Sequence, residues 1–201
     1  MRPEYFDFIN DLNTVWAVIL GALFASVSGF SAARIERILE RRQRERDAAL
    51  FFGEILVTLG LVLDMAADTK KIGEPFGPVT IRLLRLVHRE INVYDRNRER
   101  LFDLQNTELR ARVHSTVLRL LMPLEGLFDY HNEVTLLEGQ RKNSGADVAE
   151  LDARLATLRE RREDNFTFVL DSATLLKTAV RQIEPLAHQS FQAVENGVRA
   201  H

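Results

Sequence analysis

A chain of 201 residues, 46% apolar and 28% charged, is long enough for one hydrophobic core plus an accessory segment. Its 27 bases and 29 acids leave a formal charge of −2, so it lacks the basic excess that nucleic-acid binding draws on. With no cysteine, disulfides, thiol catalysis and thiolate-held zinc or iron–sulfur centres are excluded.

Residues 1–13 are acidic, with Glu4, Asp7 and Asp11 against Arg2, and are expected to form a short extracytoplasmic N-terminus. Tyr5, Phe6, Phe8 and Trp16 lie where an interfacial aromatic belt belongs. Residues 14–33 (TVWAVILGALFASVSGFSAA) carry no charge. At a rise of about 1.5 Å per residue, this segment spans a hydrocarbon core of about 30 Å. An acidic flank and the lack of a convincing A-x-A site predict a retained anchor and not a cleaved signal peptide. Ala17, Gly21, Ala25, Gly29 and Ala33 recur every fourth residue. That stripe lets two helix backbones approach closely, which predicts a homo-oligomer or a partner within the membrane.

Residues 34–47 read as a basic juxtamembrane helix. Arg34, Arg37, Arg41, Arg42, Arg44 and Arg46 follow the span, while only Arg2 precedes it. The excess of positive charge on this side predicts a single-pass protein of a cell membrane, such as the inner membrane of a bacterium, with its N-terminus outside and its C-terminal domain in the cytoplasm. The arginines could contact anionic lipid headgroups. They could equally be a solvated face, since Glu36, Glu40 and Glu45 are interleaved and Glu40–Arg44 and Arg41–Glu45 fall at i,i+4.

A second apolar stretch, residues 48–67, contains Glu54 and Asp64 and has bases at both ends. A carboxylate at mid-membrane is expensive, so this segment is expected as a core helix with buried acids and not as a second span. GEPFGP at 73–78 breaks the chain, and Pro78 suits the first turn of a new helix. There Ile81, Leu84, Val87, Ile91 and Tyr94 share a face, with Arg82, Arg85 and Arg89 directed elsewhere. Residues 94–106 read as a loop with one further turn, and Asn106 as the N-cap of the next helix. Leu109, Val113, Val117, Leu120, Leu121 and Leu124 give that helix its apolar face, and Pro123 should kink or split it.

The stretch GQRKNSG at 139–145 predicts a turn, after which Ser144 and Asp147 have capping-box spacing. Val148, Leu151, Leu155 and Leu158 form a coiled-coil-like seam that fades at Arg162 and Asn165. Phe166, Val169, Ala173, Leu176, Val180 and Ile183 then continue an apolar face as far as Pro185. The expected fold is all-α: one transmembrane helix continuing into a cytoplasmic antiparallel bundle of about four long helices (48–201), with a charged helical hairpin protruding.

No Glu-x-x-His pair, phosphate loop, HExxH or GxSxG motif occurs. Glu184 with His188, and the group Asp129, His131 and Glu133, are the nearest approaches to a metal site, at a density that chance supplies. No catalytic residue, cofactor or metal is therefore expected. The sequence points to a non-enzymatic, membrane-anchored scaffold that associates with itself or with a membrane partner. A membrane-active component (pore, lysis effector or channel subunit) using 14–33 and 48–67, or a tethered sensor for an unknown small ligand, is the alternative.

Overall fold

The computed structural model describes residues 4–143 and 148–191. The chain is 92% helix, with no strand among the described residues. Its elements are α1 (Glu4–Ile72), α2 (Pro78–Arg96), a 3₁₀ helix (Arg98–Asp103), α3 (Thr107–Asn143) and α4 (Val148–Ala187).

Helix α1 runs for 69 residues without interruption, from Glu4 through the expected N-terminal segment, span and juxtamembrane stretch to Ile72. The only nearby prolines, Pro3 and Pro75, lie outside it, so every residue within it can donate to the ladder. The boundary within α1 is one of packing, not of backbone: the chain divides into two compact units, Met1–Arg44 and Glu45–His201. In the first unit every described side chain from Trp16 to Arg44 is exposed. In the second, Ala48, Ala49, Phe52, Leu56, Leu59 and Leu63 are buried in the main core. The most apolar stretch of α1 is half buried, so it falls in this second part.

The carboxylate of Glu45 accepts a hydrogen bond from the Gln105 backbone N–H at 2.9 Å, and does not pair with Arg41 as the i,i+4 spacing suggests. Glu54 also departs from expectation. It is exposed and not buried, because it occupies the outward side of a helix whose other faces are packed. Asp64 is half-buried.

Helix α1 stops where the chain meets Gly73, whose N–H still bonds the Thr69 carbonyl at 3.1 Å. Phe76 adopts φ 60°, a costly value for a residue with a Cβ. It is held there by its buried ring, packed edge-on to Phe166 at 5.6 Å. Pro78 opens α2, as its fixed φ and missing donor favour. Ile81, Leu84, Val87, Ile91 and Tyr94 are buried, and Arg82, Arg85 and Arg89 are exposed. The Tyr94 hydroxyl lies 2.9 Å from His114 Nδ1, and burial pushes this phenol above its ordinary range.

Asn106 caps α3, its Oδ1 accepting from the Leu109 N–H at 3.1 Å. Pro123 does not split α3, which runs through to Asn143 and so includes the residues expected to begin a turn at Gly139. The proline leaves the Arg119 carbonyl without its helical donor, and the Ser172 hydroxyl of α4 donates to that oxygen at 3.3 Å. The expected capping pair Ser144 and Asp147 lies outside the described residues.

Helices α3 and α4 run antiparallel: Arg119 meets Ser172, His131 meets Arg162, and Arg141 meets Asp152. Toward the loop, Val134, Leu137, Leu155 and Leu158 form a small core of their own. It is edged by the ion pairs Arg141–Asp152 (3.0 Å), Arg159–Glu138 (2.6 Å) and Arg154–Glu133. Helix α4 passes Pro185 and ends at Ala187, where His188 takes φ 52°. The Glu184 carboxylate then accepts from the Ser190 hydroxyl at 3.3 Å and the Phe191 N–H at 2.8 Å. That hook seats Phe191, 1% exposed, on Gly53 of α1.

Candidate functional site: a basic pocket between α2, α3 and α4

The start of α2 and the facing stretches of α3 and α4 leave a cavity of about 400 Å³. The 73–78 turn and the first turns of α2 supply Glu74, Phe76, Arg82 and Arg85. Helix α3 adds His131 and Glu138, and α4 adds Arg162. The seam of α4 fades at Arg162 where α4 reaches this cavity and the Phe76 ring beside it.

Arg162 is anchored by its surroundings. Its guanidinium lies 4.2 Å from the centre of the Phe76 ring, and Nη1 donates toward His131 Nδ1 at 3.3 Å. Its Nε is buried and has no hydrogen-bond partner. The carboxylates that form ion pairs at this corner are taken by other bases: Glu163 by Lys70 and Glu138 by Arg159. None of the ion pairs among the described residues engages Arg82, Arg85 or Arg162. Lys70 itself rests over Phe166 and Phe76, at 4.4 and 5.0 Å from the ring centres, and so braces the same wall. Thr80 in the first turn of α2 is 1% exposed, and its Oγ1 also has no partner. It lines a smaller adjoining cleft that shares Glu74, Gly77 and Pro78.

The electrostatics follow from this crowding. Burial lowers the basicity of His131, and the neighbouring Arg162 and Arg85 lower it further, against a smaller opposing effect of Glu138. The imidazole is therefore neutral at neutral pH. Burial also lowers the pKa of Arg162, partly offset by Glu138. A histidine whose folded pKa is depressed below 6.5 binds fewer protons than it does in the unfolded chain. The stability it permits is complete above pH 6.5 and is lost as pH falls from there toward the lower folded value. Thermal unfolding at pH 7.5, 6.5 and 5.5 should show a falling midpoint, and His131→Gln should flatten that fall. An unchanged slope in His131→Gln would count against this account.

The residues expected from sequence to matter lie elsewhere. Ala17, Gly21, Ala25 and Gly29 are exposed on α1, and the side chain of Ala33 lies outside the described set. So do the side chains of Tyr5, Phe6 and Phe8. A Cβ added at Gly21 or Gly29 would meet nothing within 4 Å. Arg34, Arg37, Arg41, Arg42, Arg44 and Arg46 are exposed, and Arg44 pairs with Glu40 at 3.7 Å. Asp64 lines an apolar cleft between α1 and α4 with Leu56, Gly60, Leu176, Val180 and Phe191. No group of three metal-ligating side chains occurs among the described residues. His131 sits against Arg162 while Glu133 pairs with Arg154, which disperses the one local cluster of candidates.

Sequence reasoning missed the basic pocket because its arginines and histidine come from three helices separated by long stretches of chain. The one available signal was Arg162 interrupting an apolar seam. Comparison with family models, with curated proteins and with solved structures finds no match to this chain.

Proposed function

We propose that this protein is a membrane-anchored helical scaffold, without enzymatic activity, that displays its C-terminal domain to a partner or to copies of itself. The observation that carries the reading is the contrast within α1. Trp16, Leu20, Leu23, Phe24 and Phe30 are 49–70% exposed, whereas the equally apolar 48–67 segment is packed into a core. A row of exposed large apolar side chains along an uncharged stretch of helix calls for a non-aqueous environment. The arginines at 34–46 would then lie at the cytoplasmic headgroups of a cell membrane, with the N-terminus outside.

On this reading residues 48–201 form an antiparallel bundle of about four long helices, and the α3–α4 end is its protruding hairpin. The stripe of Ala17, Gly21, Ala25, Gly29 and Ala33 is the surface for a second membrane helix, supported by the open space around Gly21 and Gly29. The test is topology, with paired cytoplasmic and extracytoplasmic reporters fused after Asp47 and after Lys71. Both are expected to report cytoplasm. A reporter after Lys71 that reads outside would overturn the scaffold and favour a membrane-active protein using both apolar segments.

A further inference from the structure

We propose that the pocket formed by Arg82, Arg85, His131 and Arg162 is a binding site for a small molecule bearing a phosphate group. All of these residues belong to the Glu45–His201 unit, so the inference stands or falls independently of the membrane reading. Arginine forks match the oxygens of a phosphate in two-pronged fashion, and such pairs are the stronger kind of hydrogen bond. Three guanidinium groups, two from α2 and one from α4, line the cavity, and none of them forms an ion pair among the described residues. Two acids share the cavity and favour the charged form of Arg162, but Glu138 is held by Arg159 and Glu74 makes no ion pair among the described residues, so the three arginine forks stay open.

Arg162 is fixed at the cavity by the Phe76 ring and by its hydrogen bond to His131. Charge-assisted forks to an oxyanion are the contact that pocket-lining guanidinium groups make best. A neutral His131 can offer one further N–H from its second ring nitrogen. A cavity of about 400 Å³ exceeds what inorganic phosphate needs and lies within the range of pockets for small organic ligands. The phosphate could come from a soluble phosphorylated metabolite or from a lipid headgroup, and the chemistry required of the pocket is the same.

The test uses the full chain in phosphatidylcholine nanodiscs, titrated calorimetrically with inorganic pyrophosphate at low salt. Saturable binding is expected, weakened at least tenfold in Arg82→Gln/Arg85→Gln. Those side chains are exposed, so the variant should keep the parent's helical content. Arg162→Lys, which keeps the charge but not the fork, should also weaken binding. Absence of saturable binding, or equal affinity in Arg82→Gln/Arg85→Gln, would overturn the proposal. Repeating the titration in nanodiscs with one lipid in ten replaced by phosphatidylglycerol identifies the source. Loss of pyrophosphate binding there assigns the site to a headgroup, and unchanged binding assigns it to a soluble ligand.

Discussion

Phe191→Ala is expected to lower the unfolding free energy of the chain by about 3–5 kcal/mol, the usual cost of emptying a fully packed aromatic site. The ring is 1% exposed and closes over Gly53, where no side chain stands between the helix and the ring. A methyl group at Gly53 would sit 2.2 Å from Phe191 Cζ and 2.4 Å from Cε2, well inside contact distance. Gly53→Ala should therefore destabilise the parent by about 1–3 kcal/mol, as overpacking does. In a Phe191→Ala background the sign should reverse. With the ring gone, alanine has room, and its helix propensity exceeds that of glycine by about 1 kcal/mol. Urea unfolding of the four proteins of this cycle measures the coupling directly. If Gly53→Ala costs the same in both backgrounds, the ring is not what excludes a side chain at that position.

The second large effect concerns partition and not folding. Leu20→Arg combined with Phe24→Arg should move the chain out of the alkali-resistant membrane fraction. Each arginine near the centre of a span costs about 2.5–3.5 kcal/mol on insertion scales. The cooperative unfolding of the Glu45–His201 unit should be unaffected, because both side chains are exposed and outside that unit. Leu59→Arg provides the converse. Leu59 is buried in the main core, so a charge there should unfold that unit while leaving the chain in the membrane fraction. A parent chain that is already soluble, or a double arginine variant that still pellets with membranes, would remove the basis of the anchor.

Much of the helical architecture was legible because its signals are local. The apolar face of α2, the Asn106 cap and the stop at Gly73 each depend on residues within a few positions of one another. Pro123, which does not split α3, misled for a related reason. A proline breaks a helix when its orphaned carbonyl finds no donor, and the neighbouring helix that supplies one is invisible along the chain. Glu54 was misplaced because a nearly all-apolar helix does not announce which of its sides is left uncovered. The pocket was beyond reach altogether, since Arg82 of α2 and Arg162 of α4 come to line one cavity only in the folded bundle.

The contact between the Ser172 hydroxyl and the Arg119 carbonyl has a consequence for how α3 and α4 find their register. Two amphipathic helices with mostly aliphatic seams can slide past one another by a turn at little cost, because one leucine contact replaces another. Here such a slip of about 5 Å would strand the one carbonyl that Pro123 deprives of a partner. It would also drive Asn165 into a different neighbour, away from Gly126, the small residue against which its amide now fits. An imperfection in α3 thus acts as a vernier mark. It distinguishes the native alignment of the hairpin from its near neighbours, and with it the alignment that brings Arg162 opposite His131.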